Sequence, residues 1–227
     1  MSHSKKIPTK AIDGGLPRHS RRLRQIRLEV AAEAARIIAT EGQHNYHAAK
    51  RKAADRIGTS ERLALPSNSE VEDALRRYQG LYGGSAHVEN LERLRGMAVD
   101  AMYHLQDFHP RLVGPVLDGT ANEHSRVTLH VFSDSIESVI LHFLENGIPF
   151  SQEQRQIRWF NGDHRTLPLI VFEREDAVIE LMIFDEVHMR QAPPSPIDGK
   201  PQRRATLSDV ECLLTEAVTL IIQSPAG

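Results

Sequence analysis

The chain has 227 residues, 40% apolar and 26% charged, ordinary proportions for a globular protein of one large or two small domains. No apolar run approaches the roughly 18 residues of a membrane span, and the basic N-terminus leads into no signal-peptide core, so a cytoplasmic protein without a membrane partner is expected. The net charge of −2 conceals an asymmetry, for residues 1–62 carry 14 Lys/Arg against 6 Asp/Glu while residues 63–227 carry 14 against 24.

Such a split means either that the two parts attract each other or that the basic part meets an external polyanion. The single Cys212 excludes an internal disulfide and a cysteine-rich zinc site. His104, His109, His124, His130 and His142 match no ligand spacing and read as surface or core histidines. No metal site is expected from them.

Residues 1–20 are polar and broken by Pro8, Gly14, Gly15 and Pro17, which predicts a disordered basic tail. From Arg21 to Glu41, Leu23, Ile26, Val30, Ala34, Ile37 and Ile38 recur at helical spacing, and Gly42 supplies a stop. Asn45 is placed to cap a second helix ending at Gly58, along which Lys50, Arg51, Lys52 and Arg56 form a basic surface. These four are the expected nucleic-acid contacts, the alternative being a solvated face or a face docked on the acidic remainder. Ser67 and Glu70 form a capping box for a third helix, closed by Gly80, Gly83 and Gly84. Residues 21–84 thus read as a small basic helical domain.

Val88 to Phe108 carries one long apolar face and ends before Pro110. The run Leu112 to Leu117 then predicts a strand, Asp118 to Arg126 a turn, and Val127 to Phe132 a second strand. Asp134 with Glu137 reads as the cap of a helix that stops at Gly147. Arg155 to Phe160 is an expected edge strand, and Leu167 to Phe172 and Val178 to Phe184 a hairpin. Within the last of these, Glu180 is a lone carboxylate among apolar neighbours, costly unless paired, neutralised or put to use. Residues 191–205 form a Pro-rich linker or loop, and residues 206–223 a terminal helix capped by Ser208 with Glu211 and buried through Leu207, Val210, Leu214, Ala217, Val218 and Ile221.

The stretch Leu112 to Leu129, LVGPVLDGTANEHSRVTL, resembles without a gap the signature of the polymerase-β-like nucleotidyltransferases, approximately L-F-G-S-x-x-x-G-x-A-x-x-x-S-D-h-D-L. Gly114, Gly119, Ala121, Ser125 and Leu129 fall on it. The resemblance implies an α+β fold, a nucleotidyltransferase-like mixed sheet with flanking helices over residues 85–190 that follows the helical unit. It also implies a nucleotide or phosphate site at Gly114, Gly119, Thr120, Ser125, Arg126 and Thr128, with Glu180 at the third acidic, catalytic position. The first helices are similar to the opening of TetR-type repressors, with residues 31–42 and 46–60 corresponding, although Glu61 to Pro66 delays the next helix.

The residues that would do the chemistry depart from the pattern: Pro115 replaces a serine, and Arg126 and Thr128 replace two aspartates. Divalent ions take oxygen ligands and need compensating negative charge, so no cofactor is expected, Mg²⁺ entering only if Asp118, Glu123 or Asp134 rebuilds the site. The expectation is a catalytically degenerate nucleotidyltransferase-fold protein that binds a nucleotide or nucleic acid. The alternatives are an active transferase with a rebuilt metal site and a DNA-binding regulator using residues 21–62. Arg126 either offers donors to a phosphate or points into solvent at the strand start.

Overall fold

The computed structural model describes residues 18–43, 45–59 and 65–223. Most of the expected tail lies outside the described residues, but residues 18–20 already belong to the first helix, α1 (Arg18–Glu41), a correction at that boundary. The second helix, α2 (Tyr46–Ile57), begins where Asn45 accepts a hydrogen bond from the Ala48 amide and stops where Gly58 turns left-handed. The third, α3 (Asn68–Tyr82), carries the full Ser67–Glu70 capping box. The turn at Ser60 through Ala64, on which the repressor-like layout depends, lies outside the described residues.

These helices share a core of Val30, Ala34, Ile37, Ala49, Ala53, Val71 and Leu75. Its alanines carry only a methyl group, which lets the helix axes approach closely, and Ile37 and Leu75 fill the space left between them. Gly80 lies within α3 rather than ending it, and the next helix, α4 (Gly84–His104), starts directly after Gly83.

The remainder is a five-stranded mixed sheet: β1 (Arg111–Val113), β2 (Val127–Phe132), β3 (Ser151–Arg158), β4 (His164–Arg174) and β5 (Ala177–Phe184), in the spatial order β1-β2-β5-β4-β3. β2 and β5 run parallel and the other neighbours antiparallel. The molecule is α+β, with helices first and the helix-flanked sheet after. Side chains alternate between faces along a strand. Val127, Leu129 and Val131 of β2 and Ile179, Leu181 and Ile183 of β5 therefore join one core with α4, with α6 (Ile136–Glu145) and with α7 (Leu207–Gln223).

Several expected boundaries move for local reasons. The strand at Leu112 ends at Val113, because Gly114 adopts φ 72 and ψ −156, open in practice only to glycine, and Pro115 then starts the four-residue helix α5 (Pro115–Asp118). Asp134 does not cap α6: Ser135 occupies the N-cap, and Asp134 instead accepts a hydrogen bond from the Glu186 amide. The cap of α7 is Thr206 with Asp209, each accepting from the other's amide, rather than Ser208 with Glu211. Val210 is buried, while Ala217, Val218 and Ile221 lie outside the residues whose side chains are described.

The second face of the sheet carries a smaller cluster, Phe132, Trp159, Leu169, Met182 and Phe184. Across it runs a strap, residues 185–206, which takes in the Pro-rich loop. Its Ala205 pairs with Leu112, while Asn68 and Ser69 of α3 donate to the carbonyls of Pro196 and Ile197. The helical unit also grips the loop after α5, where Gln79 donates to the Thr120 carbonyl and Asn122 to that of Ile38. Among the described residues no ion pair joins residues 18–82 to residues 84–223; the side-chain hydrogen bonds named here are neutral.

Candidate functional site

The parallel register sets Thr128 opposite Glu180, and alternation turns both away from the helix-covered core onto the second face. Glu180 is 3% exposed. Arg126, one residue before β2, donates to its Oε1 at 2.7 Å, and Arg155 of β3 reaches diagonally over β4 to both oxygens, at 2.8 and 3.0 Å. Burial pushes the Glu180 carboxyl up, but hydrogen bonds and charge from Arg155 and Arg126 outweigh it and hold the group below the ordinary carboxylate range. Glu180 is therefore an ionised counter-ion.

Two guanidinium groups share one carboxylate, which leaves the cluster with a surplus positive charge. The arginine side chains are 48% and 40% exposed, so their outer N–H groups face solvent while their inner ones are spent on Glu180. Arg126 does not simply point into solvent. Arg155 was not identified from the sequence, since nothing in a polar strand 25 residues from Glu180 advertises the pairing.

The other sequence-derived phosphate residues divide into two groups. Gly114 follows Val113, which lies opposite Thr128, so the turn stands at the same end of the sheet as Arg126. Gly119, Thr120 and Ser125 serve the loop beyond. The Gly119 carbonyl meets His87 Nε2 at 3.2 Å, the Thr120 carbonyl accepts from Gln79, and Ser125 Oγ bonds both the amide and the side chain of Asn122. The structure brings Gly114, Arg126, Thr128 and Glu180 together, while Thr120 meets α3, Gly119 meets α4 and Ser125 bonds within its own loop.

The residues present do not fit a pair of divalent ions. Arg126 and Thr128 offer no carboxylate, and the one acid, Glu180, already has both oxygens on guanidinium groups. The acids that could rebuild such a site are elsewhere. Asp118 is half-buried at the junction, its carboxyl pushed up by burial and by Glu72. Glu123 is 79% exposed, and Asp134 lies past the far end of β2.

On α2, Lys52 and Arg56 pair with Glu41, Arg56 also pairs with Glu33, and Lys50 donates to Asn68. Arg51 is exposed and has no ion-pair partner among the described residues. Exposed pairs of this kind are screened by solvent and hold loosely, so the cations remain exchangeable for phosphates. Compared with models of known protein families and with curated proteins, the sequence matches none. Among the described residues no helix is long and apolar enough to cross a membrane.

Proposed function

We propose that this is a nucleotidyltransferase-like protein without transferase activity, which binds a nucleotide or other phosphorylated ligand directly through arginine as a binding or regulatory module. The carrying observation is the engagement of Glu180 by both Arg126 and Arg155. In a transferase of this kind the acid would face metal ions; here it positions two cations whose free edges point outward. Guanidinium groups suit bidentate phosphate binding and need no bridging metal. Gly114 keeps the neighbouring turn open, with no atom within 4 Å of a side chain built there. The test is calorimetric titration with ATP in EDTA and in Mg²⁺, repeated in Arg126→Ala. Affinity should be the same in both buffers and weaker by about 1.5–3 kcal/mol in the variant, the usual worth of a hydrogen bond to a charged group.

A second reading rests on α2, where Lys50, Arg51, Lys52 and Arg56 make no ion pair to residues 84–223 among the described residues. Duplex DNA bound there should lose affinity with salt at a slope of about −0.9 per phosphate contact, or roughly −3 to −4 in all, without strong sequence preference. Binding indifferent to salt, or none at about 50 mM salt, removes this reading.

A further inference from the structure

The two edges of the sheet are unlike. β1 is three residues long and its Leu112 is covered by Ala205 of the strap, whereas β3 ends the strand order on the other side with eight residues, almost all exposed. β3 keeps unbroken register with β4, from Ser151 opposite Val171 to Arg158 opposite His164, and contains no bulge, proline or lysine. Those are common devices that keep an open strand from pairing with another chain.

The direction of the β3 backbone groups follows from the hairpin. The Trp159 amide donates to the Asp163 carbonyl at 2.7 Å, inside the hairpin. In an antiparallel pair the N–H and C=O of one residue face one neighbour, and those of the next residue face the other side. Ile157, Arg155 and Glu153 therefore spend theirs on β4, while Gln152, Gln154, Gln156 and Arg158 turn theirs to the open edge. Pro168 agrees, for it stands opposite Gln154, where β4 owes β3 no amide. Among the described residues no hydrogen bond reaches the outward main-chain groups of Gln152, Gln154 and Gln156.

The side chains select the partner. Two copies of β3 pairing antiparallel about a twofold axis must join outward-facing residues to each other. Centred on Gln154, the pairing sets Gln154 opposite the partner's Gln154 and Gln152 opposite the partner's Gln156 as hydrogen-bonded pairs. Glu153 then falls opposite the partner's Arg155 at the non-hydrogen-bonded sites, where side chains come closest. Opposite charges there attract, and the symmetry makes the contact twice. Sliding the axis one residue either way sets Glu153 or Arg155 against its own copy, a contact between like charges. On the other face glutamine meets glutamine, whose amide both donates and accepts.

We propose that two copies of this chain associate through β3 in the register centred on Gln154, their five-stranded sheets becoming one continuous sheet. Arg155 keeps its bonds to Glu180 and offers the partner's Glu153 its exposed outer edge. Arg126, on the far side of Glu180, takes no part.

The test is sedimentation velocity of the whole chain over a concentration series reaching about 1 mM, with amide hydrogen exchange measured at the two ends of the series. A monomer–dimer equilibrium is expected, the amides of Gln152, Gln154 and Gln156 exchanging more slowly in the dimer. Gln154→Pro removes the central outward donor without touching a bond to β4 and should abolish association. Glu153→Arg, at an exposed position, should weaken it roughly tenfold. Should Gln154→Pro not fold, Glu153→Arg decides alone. A monomer throughout the series overturns the proposal, as does a dimer that a folded variant retains undiminished or one in which those three amides exchange unchanged.

Discussion

The two ends of the second sheet face use arginine in opposite ways. At the Glu180 end, Arg126 and Arg155 meet a carboxylate supplied by the protein, and their spare N–H groups face solvent. At the Phe184 end, Arg204 is packed on aromatic rings beside a neutral histidine, and burial, with repulsion from Arg111, pushes its guanidinium down to about 10. One cluster carries its own counter-ion, and Arg204 has none among the described residues. A buried charge that the protein itself balances is a structural brace, whereas a guanidinium held against aromatic rings and a neutral histidine is kept in place by packing.

The largest expected effect separates packing from charge. Phe184 is 2% exposed and holds His130, His188 and Arg204 around its ring, so Phe184→Ala should destabilise the fold by about 3–5 kcal/mol in urea unfolding. Among the described residues no aromatic ring stacks on Arg126 or Arg155. A loss under about 1 kcal/mol would mean that the Phe184 end is not held by packing.

Charge should dominate at the other end. Glu180→Gln leaves two guanidinium groups facing each other without their counter-ion, and because both are nearly half exposed and can rehydrate, a cost of about 2 kcal/mol is expected, below that of a fully buried pair. An unchanged midpoint of unfolding would show that Glu180 braces nothing.

The smallest effect distinguishes the ends by pH. Burial and the adjacent Arg204 hold His130 well below the usual imidazole range, with Arg111 opposite it across the β1–β2 ladder. The unfolded chain therefore takes up the proton first. This contribution is complete above a pH of about 6.5 and is lost as pH falls below it, at up to roughly 1.4 kcal/mol per unit. Glu180, whose carboxyl is held below its ordinary range, contributes stability above a pH of about 4.3 that is lost only as pH falls further. Thermal unfolding should show the first loss in the wild type and not in His130→Gln; equal pH profiles would contradict the assignment.

The helix caps at Asn45, Gly58 and Ser67 with Glu70 were legible in the sequence because each is a local motif whose partners lie within four residues. The caps of α6 and α7 were misplaced because competing polar residues stand side by side, and only the backbone decides between Asp134 and Ser135 or between Thr206 and Ser208. Glu180 stood out as an acid in an apolar run, and alternation alone places it on the face of Thr128. Its partner Arg155 and the Arg204–His130 pair were not legible. The first depends on a strand reaching across its neighbour, and the second comes from a loop whose prolines suggested only a connection.

The most direct test of the central claim, that arginine has replaced metal-facing acids at Glu180, is the affinity for ATP measured by calorimetry in EDTA and in Mg²⁺. Equal affinity in the two buffers, weakened in Arg126→Ala, is the predicted result. Binding that requires Mg²⁺ or Mn²⁺, nucleotidyl transfer abolished by Glu180→Ala, or no binding in either buffer would contradict it.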